Sequence, residues 1–198
     1  MKQLVRIFIA VELSSRSVPQ IEKLIYRFAA TGADVKWVES GLFHVTLKFL
    51  GDVEQQDIVD VCRAVQKAVQ EIPPFEIRVL GAGAFPNTKI PRTIWLGVER
   101  GAEELATLFQ AVEKAMVAIG FAPEIKPFSP HVTLGRIRKP NAALKDLGEL
   151  IEQAPRYDAG KSYITQVDVM ASELTRKGPL YSVLALCPLK GIVKKEEE

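Results

Sequence analysis

Both histidines of the chain lie inside two copies of one tetrapeptide, His44-Val45-Thr46-Leu47 and His131-Val132-Thr133-Leu134. At average residue usage a given tetrapeptide is expected to recur by chance on the order of once in a thousand chains of this length. An imidazole titrates near neutrality and can give or take a proton, while a threonine hydroxyl can donate to a charged oxygen. Val and Thr are β-branched and both copies sit in apolar runs, so each reads as a buried strand. Side chains alternate along a strand, which puts His and Thr on one face and Val and Leu on the other. Two such strands facing each other make a cleft with two imidazoles and two hydroxyls.

Several chemistries use two histidines, and the remaining residues prune them. Metal sites want three or four ligands, and neither tetrapeptide has a second His, Cys or carboxylate at ligand spacing, so neither metal nor cofactor is expected. A serine hydrolase would carry a GxSxG elbow, and none is present. What fits is acid–base catalysis with no covalent enzyme intermediate: one imidazole deprotonates the attacking hydroxyl and the other protonates the leaving oxygen. A phosphodiester suits this layout, with entering and leaving oxygens on opposite sides and charged oxygens between them for the threonines.

The elements that must position these groups repeat as well. The histidines are 87 residues apart, and Ile7-Phe8-Ile9-Ala10-Val11-Glu12 aligns at the same offset with Ile94-Trp95-Leu96-Gly97-Val98-Glu99. Strands are expected over 3–12, 35–38, 43–50, 75–79, 93–98 and 131–137, with two closing strands over 161–171 and 180–189. Helices are expected over 19–30, 54–70, 102–119 and 142–153, from apolar stripes at helical spacing. Residues 81–86 (GAGAFP) read as a tight connection, because no GK[ST] or helix follows to make a phosphate loop. The expected architecture is α+β: one domain over 1–198, made of two intertwined sheet-and-helix lobes with pseudo-two-fold symmetry around a central cleft.

Composition narrows the classes further. The 198 residues can bury a sizeable core, and a net charge of +2 supplies no broad basic field, so any RNA has to be gripped locally. Cys62 and Cys187 form no CxxC, which fits reduced thiols in a cytoplasmic protein. The opening apolar run is too short for a signal sequence and nothing reaches transmembrane length, so no membrane partner is expected, and a monomer is. The terminal lysines and glutamates read as a solvated tail.

Paired HxTx motifs, here HVTLKFLGDV and PHVTLGRIR, resemble those of the 2H phosphoesterases, in particular the branch acting on RNA 2′,3′-cyclic phosphate ends. The likeness extends to RIFIAVEL, VKWVESGLF, FEIRVLGAGAFP, PRTIWLGVE and IKPFSP. It implies hydrolysis of the cyclic phosphate to a 2′-phosphate, with His44 the proton donor, His131 the proton acceptor, and Thr46 and Thr133 on the phosphoryl oxygens. It also implies ATP-independent, reversible 2′-5′ joining when an RNA 5′-hydroxyl replaces water. Partners would be such RNA ends; small cyclic nucleotides, 2′-5′ oligonucleotides and a non-catalytic nucleotide-binding module are the alternatives.

Arg136 matches the family's HxTxxR pattern and is a candidate phosphate ligand, though strict alternation puts it on the face opposite His131 unless a bulge intervenes. Lys48 shares parity with His44 and Thr46 and is a second candidate. Phe8 is a candidate base-stacking residue, with Trp95 as its repeat equivalent. The Arg176-Lys177 loop is a candidate RNA backbone contact.

Overall fold

The computed structural model describes residues 3–175 and 179–192, so the Arg176-Lys177 loop and the end of the tail lie outside the described residues. The first half of the chain runs β1 (Leu4–Glu12), α1 (Val18–Ala29), β2 (Asp34–Trp37), β3 (His44–Glu54), α2 (Ile58–Val69) and β4 (Phe75–Phe85). The second runs β5 (Thr93–Val98), α3 (Ala102–Ala118), β6 (His131–Lys139), α4 (Leu144–Glu152), β7 (Asp158–Ile164), β8 (Gln166–Leu174) and β9 (Pro179–Pro188). All nine strands join one sheet, in the order β7-β4-β5-β6-β3-β1-β8-β9 with β2 paired to β6. Every pairing is antiparallel, which makes the fold α+β.

The sheet is symmetric about its centre. β3 and β6 meet at Val45↔Val132, two residues that are themselves repeat equivalents. The strands flanking them, β1 and β5, are equivalents too. Each half also lends a strand to the other side: β4 follows α2 yet pairs with β5, and β8, from the second half, pairs with β1. Thr165 alone separates β7, on one edge, from β8, next to the opposite edge. One residue spans about 3.8 Å, so the sheet curls until those regions approach.

The helices cover one face. Their apolar stripes (Ile21, Leu24 and Phe28 of α1; Val61, Val65 and Val69 of α2; Leu105, Leu108, Val112 and Met116 of α3; Leu147 and Ile151 of α4) join a single core with Val45, Leu47, Val132 and Leu134 of the sheet. Among the described residues no helix is long and apolar enough to cross a membrane. Both cysteines are free, and burial raises each thiol pKa, that of Cys187 to about 11.

Four sequence expectations are corrected. Residues 81–85 are not a connection but the second half of β4: Ala82, Gly83, Ala84 and Phe85 pair with Leu96 to Thr93. Gly83 is needed there because a Cβ would come within 2.3 Å of the Trp95 indole. The strand expected over 161–171 is two strands that separate at Thr165 to serve opposite sides of the sheet. β3 continues past Gly51, whose φ of +75° accommodates a register shift at Leu50, to Glu54, and the helix expected from 54 begins there as a 3₁₀ turn over Gln55–Asp57 that runs into α2 at Ile58.

The fourth concerns the repeat itself. β1 pairs as Ile9↔Lys48 and Ala10↔Thr46, while β5 pairs as Ile94↔Gly135 and Trp95↔Thr133. With the His strands offset by 87, the strands beside them are offset by 85. The structural counterpart of Trp95 is therefore Ala10, and that of Phe8 is Thr93.

Candidate active site

His44 and His131 open β3 and β6, and both rings are tethered alike. His44 Nδ1 lies 2.8 Å from the Leu42 carbonyl and His131 Nδ1 lies 2.7 Å from that of Ser129, each two residues upstream. A carbonyl oxygen only accepts, so Nδ1 carries the proton and donates it, leaving each Nε2 to exchange protons. Pro130 reinforces the second tether, because the residue before a proline is held extended and Ser129 is that residue.

The Val45↔Val132 register sends both valines, 0% exposed, into the core and places His44 beside Thr133 and Thr46 beside His131 on the other face. The four groups thus form a diagonal square around the symmetry axis. Neither threonine hydroxyl is committed to a protein partner among the described residues. Burial lowers the pKa of His44 most, the Leu42 hydrogen bond opposes this, and the charge of His131 lowers it further.

Aromatic walls support each histidine, but from unrelated positions. Phe8 lies 5.1 Å and Tyr181 5.7 Å from the His44 ring, centre to centre. Phe85 and Trp95 lie 5.1 and 6.4 Å from that of His131. Phe8 is only 3% exposed and is also packed by Phe49 and Tyr181, so it has no open face for a base; its role is to back His44. Phe49, 67% exposed on the cleft face, is the aromatic that sequence parity overlooked.

A one-residue bulge at the last residue of each tetrapeptide reassigns the flanking residues. Leu47 is skipped in the pairing of β3 with β1, and Leu134 in that of β6 with β5. Beyond the bulge alternation reverses. Lys48 consequently turns to the helical face, where Nζ donates to Glu113 Oε2 at 2.7 Å and to the Ala122 carbonyl at 3.0 Å. This corrects its placement among the phosphate ligands. The same reversal brings Arg136 onto the face of His131 and Thr133, where it donates to Thr93 Oγ1 at 3.3 Å and its charge reaches Tyr181.

One group in the cleft had no sequence signal. Asp168 pairs with Ala10, which pairs in turn with Thr46, so its carboxyl lies on the cleft side two strands from a motif threonine. Oδ1 accepts from Gln166 Nε2 at 2.7 Å, and Oδ2 is buried without a partner. Burial first, and the Glu12 charge second, raise its pKa to about 6 against the Gln166 hydrogen bond.

Two HxT strands paired at the middle of one antiparallel sheet, each with an imidazole and a hydroxyl on the face away from the helices, are the arrangement of a two-histidine phosphoesterase fold. The chain belongs to the LigT-like phosphoesterase family, whose model matches residues 11–95 and again 96–181. It is 35% identical over 178 residues to the RNA 2′,3′-cyclic phosphodiesterase of Methanothermobacter thermautotrophicus, covering 90% of this chain and 95% of that one. It is 32% identical over 183 residues to the protein of the same name from Aquifex aeolicus, covering 92% and 96%. Among solved structures, the Thermus thermophilus protein TT0787 superimposes with a TM-score of 0.78 at 27% identity, covering 94% of this chain and 98% of that one. Apo LigT of Escherichia coli gives 0.75 at 22% identity, covering 94% and 98%, a likeness of fold.

Proposed function

We propose that this enzyme opens the 2′,3′-cyclic phosphodiester at an RNA end to a 2′-phosphomonoester. The observation that carries the reading is the matched pair of Nδ1 tethers, which leaves Nε2 of each ring as the nitrogen able to exchange protons with a substrate. The names of the relatives support the substrate.

In the reaction, His131 Nε2 accepts a proton from the attacking water as its oxygen bonds to phosphorus. The P–O3′ bond breaks on the opposite side, and His44 Nε2–H protonates the departing O3′. Thr46 and Thr133 donate to the non-bridging oxygens as charge builds there. The product is a 2′-phosphate with a free 3′-hydroxyl, and the pair is reset when His131 releases its extra proton to solvent and His44 takes one up. An RNA 5′-hydroxyl in place of water yields a 2′-5′ linkage through the same atoms, with no nucleotide cofactor consumed.

The test is incubation with 2′,3′-cyclic AMP and identification of the product by phosphorus NMR. Accumulation of 2′-AMP is expected. Formation of 3′-AMP would place the leaving oxygen on the other side, and binding without turnover would make the protein a nucleotide-binding module.

A further inference from the structure

The two histidine motifs are so alike that something outside them must decide how a substrate lies across the cleft. Arg136 and Phe49 are repeat equivalents, each just past a bulge on the cleft face. On the β3 side, Phe49 pairs with Phe8 and the end of the cleft is apolar. On the β6 side, Arg136 lies between Thr93 of β5 and Lys36 of β2, which is its direct cross-strand partner. Val35 and Trp37 pack against the core, so Lys36 between them is turned to the Arg136 face and is exposed.

Two cations directly opposite on antiparallel strands repel. The fold does nothing to relieve this: among the described residues neither Lys36 nor Arg136 is paired with a carboxylate, and the Arg136 hydrogen bond goes to a neutral hydroxyl. An anion lying across the pair would relieve it. The pair sits one row beyond the His44–Thr133 row, at about 7–10 Å along the strands, within a guanidinium's reach of a neighbouring phosphate. The net charge of +2 makes such a local grip the available way to hold a polyanion.

Building on the cyclic phosphodiesterase reading, we propose that Lys36 and Arg136 form a second phosphate subsite that holds the internucleotide phosphate next to the cyclic one. The substrate class is then an RNA strand of two or more nucleotides. Its backbone leaves the cleft over β2, and Phe49 marks the opposite, phosphate-free end. A cyclic mononucleotide fills the catalytic centre and leaves this subsite empty.

The experiment compares kcat/KM for 2′,3′-cyclic AMP with that for ApApA ending in a 2′,3′-cyclic phosphate, in wild type, Lys36→Gln, Lys36→Glu and Lys36→Arg. Lys36→Gln should reduce the ratio of trinucleotide to mononucleotide by about tenfold through KM, as expected for one lost charged contact. Lys36→Glu should reduce it further, and Lys36→Arg should restore it. For Lys36→Gln, the slope of log kcat/KM against log salt on the trinucleotide should become shallower by about 0.7.

An unchanged ratio in the Gln and Glu variants, or an equal loss on both substrates, would overturn the subsite while leaving the activity standing. Failure of the wild-type enzyme to turn over either substrate would overturn the activity and the subsite together.

Discussion

At the residue scale, the histidines are legible in the sequence and their electrostatics are not. Identical tetrapeptides identify His44 and His131 as a pair, but only the packing makes them unequal. His44 is pressed by Phe8 and Tyr181, and burial lowers its pKa, with the His131 charge adding to the effect. Removing that charge should therefore raise the His44 pKa: in His131→Asn, a carbon-13 NMR titration is expected to show His44 titrating above its wild-type midpoint. An unmoved midpoint would mean that the rings do not share a site.

Asp168 is the other case, invisible to pattern because one aspartate in an apolar run carries no motif. Its folded pKa of about 6 lies above the reference value of 3.8, so the folded state holds its proton more tightly than the unfolded chain. Stability is thus fully present below about pH 4 and is lost as pH rises through 6. Asp168→Asn keeps the Oδ1 acceptor for Gln166 and removes the charge. It should raise urea stability at pH 8 by about 1–2 kcal/mol, with the gain gone by pH 4. A gain of the same size at both pH values would refute the charge as its cause.

At the element scale, the sequence conveyed that strands and helices alternate and repeat, and it failed where register decides. Periodicity cannot show a bulge at Leu47 or Leu134, since neither residue is a turn former; the bulges follow from how β3 and β6 pair with their neighbours. That is why Lys48 was placed with the wrong face. In the fold it joins β3 to α3 and to the segment leading to His131: Glu113 accepts from Lys48 and also from the Glu124 backbone N–H, at 2.7 Å each. The Lys48 and Glu113 side chains are 5% and 17% exposed. Burial pushes the Glu113 pKa up, but the Lys48 and Glu124 hydrogen bonds with the Lys48 charge outweigh it and hold it below the ordinary value.

Lys48→Met strands that carboxylate, and the loss should be about 3 kcal/mol in denaturant unfolding at pH 7. Because the depressed group stabilises the fold above its unfolded pKa and ceases to do so as pH falls through the folded one, the difference from wild type should shrink in acid. A loss below about 1 kcal/mol at pH 7 would show that the pair is not an anchor.

At the scale of the whole molecule, the duplication was readable and its execution was not. Matching tetrapeptides predict two facing strands, but nothing local shows that β4 and β8 cross to the opposite side or that β1 and β5 are offset by 85 rather than 87. These choices depend on closing one sheet around one centre, a long-range condition that short-range patterns do not carry. The consequence is a symmetric square of two histidines and two threonines inside asymmetric walls, aromatic and apolar at one end and cationic at the other.

The central claim is that both imidazoles act on a single phosphorus atom. Its most direct test is kcat/KM for 2′,3′-cyclic AMP from pH 5 to 9 in wild type, His44→Ala and His131→Ala. A bell-shaped profile is expected for the wild type, with each variant slower by at least ~100-fold and missing one limb of the bell. A rate close to wild type in either variant, or a wild-type profile flat across that range, would contradict it.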